Sequence, residues 1–237
     1  MQCAFSYMAG RLFVTMASPM LPHRMTESRR QENTTMARKR PSANRPTAAA
    51  SGELRIIGGD WRSRKLRFPD AGGVRPTPAR TRETLFNWLS FHLAGRDCLD
   101  LFAGSGVLGL EALSRGAASA TFVDHTPALA QALRENLRLL HCDRATVVCS
   151  AVETFLRDSP PQPFDLVFMD PPFRQGWLER LFPLIAEQGW VKPGGWVYVE
   201  HESELTPPPP PASWQLHRQK TAGQVTYNLY RVAEPEA

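Results

Sequence analysis

From Asp97 onward the apolar positions fall into short continuous runs separated by amphipathic stretches. Residues 98–102, 120–123, 145–149, 164–169 and 196–199 read as buried strands, because each is an unbroken apolar run of strand length. Between them, residues 107–113, 127–140, 152–157 and 178–187 carry helical spacing, with a Lys192-Pro193-Gly194-Gly195 turn before the fifth strand. Strand and helix alternating over this length predict an α/β fold with a doubly wound, mostly parallel sheet. Residues 214–220 and 225–231, joined at Ala222-Gly223, read as two antiparallel strands closing that sheet, which makes seven.

The pattern before Asp97 is different. Residues 54–57 and 65–68 read as a short hairpin rich in arginine, turning through Gly58-Gly59-Asp60. A helix follows, with Thr77 as its expected N-cap, Pro78 at its first position, and Leu85, Phe86, Trp88 and Leu89 on its apolar face. Residues 1–50 show little apolar periodicity and read as a disordered basic extension. The apolar stretch from Leu12 to Met16 is too short for the core of a signal peptide, and Met25 or Met36 would serve as well as Met1 for a start. The expected organisation is therefore an extension (1–50), a basic hairpin and helix (51–96), and the sheet domain (97–237).

Composition sharpens this picture. The 237 residues are 42% hydrophobic and 22% charged, as in an ordinary globular chain, and no apolar run approaches the roughly 18 residues of a membrane-spanning helix. Cys3, Cys98, Cys142 and Cys149 show no CxxC spacing, which argues against a disulfide scaffold or zinc ribbon and for free thiols in a reducing, cytoplasmic setting. No histidine–cysteine cluster suggests a metal. Net charge is uneven: +6 over residues 1–50, +5 over 51–96 and −6 over 97–237. A basic front on an acidic body fits a polyanion such as nucleic acid, or simply a solvated tail.

Two motifs carry chemistry. Gly104-Ser105-Gly106-Val107-Leu108-Gly109 matches GxGxxG between a strand and a helix, and Asp124 ends the next strand twenty residues past Gly104. This is the spacing of a nucleoside-cofactor site, in which the acid takes the ribose hydroxyls. Asp100, four residues before Gly104, would oppose a pyrophosphate and suit a cationic cofactor end, which disfavours a nicotinamide dinucleotide. Asp170-Pro171-Pro172-Phe173 closes the fourth strand, at the carboxyl edge where ligands bind in such sheets. Its prolines make a rigid turn with carbonyls free to accept.

Residues 100–106 (Asp-Leu-Phe-Ala-Gly-Ser-Gly) together with Asp170–Phe173 resemble the S-adenosylmethionine-dependent methyltransferases that modify exocyclic amines of bases. Leu54-Arg-Ile-Ile-Gly-Gly59, Arg75-Pro-Thr77 and residues 82–89 are similar to the RsmD family, over residues 52–232. The resemblance implies the class I methyltransferase fold, S-adenosylmethionine as cofactor, and methylation of N2 of one guanine, number 966, of small-subunit (16S) ribosomal RNA. It implies Asp170 and the Pro171 carbonyl as acceptors for the amine, with Phe173 stacking on a flipped base. Asp100, Phe102, Gly104, Gly106, Asp124, His125 and Ala151 would hold the cofactor. Ala151 enters because many relatives carry an acid where this chain has Ser150. Arg55, Arg62, Arg64, Lys65, Arg67, Arg75, Arg80 and Arg82 would grip RNA phosphates. The partner would be the ribosomal RNA of a 30S particle or its assembly intermediate, met by a monomer. DNA adenine-N6 methylation and a catalytically silent, RNA-binding assembly factor are the competing readings.

Overall fold

A computed structural model describes residues 51–71, 76–160 and 162–234. The expected extension over 1–50, and Arg75, lie outside the described residues. The first described element is an antiparallel hairpin, β1 (Ser51–Arg55) and β2 (Lys65–Pro69), followed by the helix α1 (Ala79–Trp88). Then β3 (Asp97–Asp100), α2 (Val107–Ser114), β4 (Ser119–Asp124), α3 (Pro127–Leu139), β5 (Ala145–Cys149), α4 (Val152–Asp158), β6 (Phe164–Met169), α5 (Trp177–Glu187) and β7 (Val191–Glu202) alternate as expected. The antiparallel pair β8 (Trp214–Ala222) and β9 (Val225–Val232) ends the chain.

The seven-stranded sheet has the order β5-β4-β3-β6-β7-β9-β8, parallel from β5 to β7. The order reverses between β3 and β6, so the carboxyl ends of these two central strands meet at the switch point where such sheets bind ligands. Every residue of β6 is buried, which is why its sequence is an almost unbroken apolar run rather than an alternating one. One face of the sheet is covered by α1, α2, α3 and the β1–β2 hairpin, whose Leu54, Ile56, Leu66 and Phe68 share a core with Phe86, Leu110, Leu133 and Phe168. The other face packs on α4 and α5 through Leu156, Leu181, Phe182 and Ile185.

Two local readings are corrected. Pro78, not Thr77, occupies the N-cap of α1, and no side chain caps that end. Proline is tolerated there because its missing N–H is one the helix does not need, which frees the Thr77 hydroxyl for another partner. β7 is also longer than residues 196–199: pairing with β6 skips from Phe164–Val191 to Leu166–Trp196. The Pro193-Gly194-Gly195 segment thus forms an irregularity inside the strand rather than a turn before it.

Candidate active site

The glycine bend and the acid–proline corner meet at the carboxyl edge of the sheet. Asp100 ends β3 level with Phe168 of β6, and the Leu101 amide bonds the Phe168 carbonyl at 3.1 Å just beyond the strand. Asp170 stands two residues past Phe168, on the same face as Asp100 by the two-residue repeat of a strand. The bend itself passes through Gly104 and then Gly106, the N-cap of α2, whose φ of 78° is left-handed. A Cβ at Gly106 would lie 2.5 Å from Leu133 Cδ1, so glycine is required both by conformation and by packing against α3.

Asp124 organises the bend. Its Oδ2 accepts the Gly104 amide at 2.8 Å and its Oδ1 the Thr126 amide at 2.7 Å, leaving further lone pairs for a ligand. Asp100 is different. Its Oδ2 accepts the Gly109 amide at 3.2 Å, but Oδ1 is buried with no partner among the described residues. Burial pushes this carboxyl up to about 7, with the charges of Asp170 and Asp124 adding to the effect. A buried carboxylate oxygen left unpaired in a strand-end niche is a receptor for a cationic or hydrogen-bond-donating group. A nucleoside with an ammonium-bearing tail fits this donor set.

Asp170 is partly buried, and the Thr77 hydroxyl donates to its Oδ2 at 3.4 Å. Burial pushes Asp170 up to about 6, against the pull of that hydrogen bond. Pro171 is buried behind it, while Phe173 is 38% exposed at the mouth. The turn is then pinned: Arg174, with a left-handed φ of 60°, donates its amide to Glu202 Oε1.

The other expected cofactor residues ring the same edge. Phe102 is partly buried and meets the Trp177 ring edge-on, with centroids 5.1 Å apart. The His125 side chain is almost wholly solvent-exposed, 3.9 Å from Asp124. Ala151 is exposed at the N-cap of α4, and the neighbouring Ser150 amide bonds the Asp124 carbonyl at 3.0 Å.

The expected RNA contacts divide. Arg82 is a correction: its side chain is buried in an ion pair with Glu111 and donates to the Thr77 and Arg55 carbonyls, both at 3.0 Å. It is a strut between the hairpin, α1 and α2, and lies too deep to meet a phosphate at the surface. Arg62 and Arg64 are solvent-exposed but stand at the wrong end of the molecule. Their loop is tied to the last residue of α2, with Asp60 N to Ser114 O at 2.8 Å and Trp61 N to Ser114 Oγ at 2.9 Å. Because α2 starts at the carboxyl edge and runs back, that loop lies toward the opposite edge from Asp170. Lys65 pairs with Glu53 at 2.8 Å. Arg55, Arg67 and Arg80 are exposed, and Arg80 lies in the first turn of α1, three residues from Thr77.

Sequence reasoning missed Thr77, Trp177, Glu200 and Glu202. Glu200 left a signal, as a charge two residues after Tyr198 in an otherwise apolar strand. A concavity of about 540 Å³ lies at the amino edge, beside Asp97, Ser119, Arg144, Phe164 and Lys192. It is walled by the Lys192–Asp165–Arg96 ion network and is remote from the motifs above.

Comparison with known proteins agrees in one direction. Residues 54–231 match a family model described as conserved hypothetical protein 95. The chain is 50% identical over 187 residues to ribosomal RNA small subunit methyltransferase D of Escherichia coli K12, covering 79% of this chain and 94% of that one. It is 45% identical over 188 residues to the Haemophilus influenzae protein of the same name, covering 78% and 97%. A solved hypothetical protein of Thermus thermophilus superposes with a TM-score of 0.63 at 33% identity, covering 76% of this chain and 99% of its own.

Proposed function

The chain belongs to the RsmD family, and on that premise we propose that it methylates the N2 amine of a flipped guanine, number 966, in small-subunit ribosomal RNA. The observation that carries this reading is the convergence of Asp170 and Pro171 with the Asp100–Gly106 bend at one sheet edge. S-adenosylmethionine, when bound, supplies an electrophilic methyl group. Asp124 would hold its ribose hydroxyls, Asp100 its ammonium end, and Phe102 and the amide of Ala151 its remaining faces.

The amine lone pair of guanine is delocalised into the ring and is a poor nucleophile. Acceptors that hold both amine hydrogens turn the lone pair out of conjugation and toward the donor. Asp170 and the Pro171 carbonyl are that pair, and Phe173 stacks on the base. With Asp170 near 6, about nine-tenths of the molecules carry the acceptor in its ionised form at pH 7. The same carboxylate is placed to take the proton that the methylated amine sheds. Placement and local electrostatics supply the rate, since the transfer is in line and needs no strong base.

The test uses tritiated S-adenosylmethionine with unmethylated ribosomal RNA, both naked and in 30S particles, followed by nucleoside analysis. Label in N2-methylguanosine is expected. Label in N6-methyladenine, or no label, defeats the proposal. Asp170→Ala is expected to lower turnover at least about a thousandfold while leaving S-adenosylmethionine affinity within about threefold. Equal loss of both in calorimetry would remove Asp170 from the role of acceptor.

A further inference from the structure

One buried acid has no part in the reaction above. Glu200 is only 4% exposed near the end of β7. Register places it beside Asp170: Phe168 pairs with Tyr198, so Asp170 and Glu200 each stand two residues further along adjacent parallel strands, on one face. The groups around Glu200 come from four elements and the segment before α1. They are Asp170 at the end of β6, Asp100 of β3, Tyr198 of its own strand, Tyr227 opposite on β9, and Thr77.

The hydrogen bonds fix a direction. The Tyr198 hydroxyl donates to Glu200 Oε1 at 2.8 Å. The Thr77 hydroxyl donates to Asp170 Oδ2 at 3.4 Å and also lies against Glu200. A threonine hydroxyl has one proton. Having given it to Asp170, Thr77 can only accept from Glu200, and Glu200 has a proton to give only as the neutral acid. Coulomb repulsion points the same way, because three carboxylates on adjacent strand ends of one face do not all ionise. Burial, followed by the charge of Asp170, holds Glu200 well above the usual carboxylate range.

We propose that Glu200 is a positioning residue that works as a neutral acid, donating through the Thr77 hydroxyl so that Asp170 is held as the charged acceptor of the substrate amine. This rests on the reading that Asp170 accepts that amine. It also gives Thr77 a role, since the segment leading into α1 then completes the site rather than only flanking it.

Three variants and one spectrum test it. Glu200→Gln keeps a neutral donor and an acceptor, so kcat is expected within about threefold of the parent, with the acid limb of its pH profile still near 6. Glu200→Ala is expected to lower kcat about 10- to 100-fold, with KM for RNA and S-adenosylmethionine affinity within about threefold. Thr77→Val should copy Glu200→Ala and Thr77→Ser should restore the rate. Infrared spectroscopy of the full chain at about pH 9, where an ordinary carboxylic acid is ionised, should show one protonated carboxyl band that Glu200→Gln removes. Glu200→Gln as inactive as Glu200→Ala, an acid limb displaced downward by about one pH unit in Glu200→Gln, or no such band overturns the proposal. The band is read without substrate, so it stands or falls separately from the assignment of Asp170. Full activity in Asp170→Asn would instead sink the underlying reading. Circular dichroism and cofactor titration of Glu200→Ala separate lost positioning from lost folding.

Discussion

Asp100 shows how one side chain can make ligand affinity and stability depend on pH in opposite ways. Its folded carboxyl lies near 7 against an ordinary value of 3.8, because burial opposes the charge. The folded state therefore holds a proton that the unfolded chain releases between about pH 4 and 7. The sign follows: stability from this group is fully present at low pH and is lost as pH rises through about 7, by about 4 kcal/mol at most. Asparagine imitates the neutral acid, so Asp100→Asn should match the parent in urea unfolding near pH 4 and exceed it by up to a few kcal/mol near pH 8. Affinity runs the other way, since a cationic cofactor end needs the ionised form. S-adenosylmethionine should bind the parent more weakly as pH falls below about 7 and release protons on binding near neutrality, as measured by calorimetry in two buffers of different ionisation enthalpy. Asp100→Asn should bind about 10- to 100-fold more weakly with little pH dependence. Unchanged affinity in that variant would remove Asp100 from the cofactor site.

At the scale of elements, the hairpin and α1 are held to the sheet domain by a buried ionic and backbone knot, and stability tests it. Glu111 is fully buried, accepts from Arg82, Arg115 and the Ile57 amide, and so ties α2 to α1 and to the strand exit of the hairpin. Removing one partner of a buried pair leaves an uncompensated charge. Arg82→Ala is expected to cost about 3 kcal/mol in urea unfolding, while Arg62→Ala on the exposed loop changes stability by less than about 0.5 kcal/mol. Gly59 closes the same joint: its φ is 73°, and a Cβ would lie 1.7 Å from the Ser114 carbonyl oxygen. The elements themselves were legible because apolar runs of strand length and amphipathic helices differ in period, and the GxGxxG and Asp-Pro-Pro-Phe motifs fall at element ends. What the sequence hid is partner choice. Arg82 reads as one more surface cation in a basic stretch, and only the fold brings Glu111, twenty-nine residues away, against it. Thr77 reads as a helix cap because local rules see only Pro78 after it, whereas its partner Asp170 is ninety-three residues distant.

The whole molecule sets its acids and its free arginines at different places, and this decides where RNA can approach. Asp100, Asp124, Asp170 and Glu200 gather at the carboxyl edge, so a phosphate chain must pass beside that edge and leave only the extruded base to enter it. Arg80 is the exposed cation nearest the entrance in sequence and space, one turn of α1 from Thr77. Arg67 lies on β2, where its backbone carbonyl takes the Asn136 amide of α3 at 3.0 Å, so it stands on the hairpin rather than beyond it. Arg62 is on the loop tied to the end of α2, toward the far edge. Reversing charge at these positions should therefore give a graded response. Arg80→Glu and Arg67→Glu are each expected to weaken binding to the ribosomal RNA fragment and to lower the slope of log K against log salt by about 0.7–0.9, the value of one phosphate contact. Arg62→Glu should change the slope by less than about half of that, and all three variants should keep S-adenosylmethionine affinity, because none touches the cofactor residues. A loss at Arg62 equal to that at Arg80 would mean that the RNA wraps the full length of the hairpin, and the approach path along the carboxyl edge would have to be abandoned.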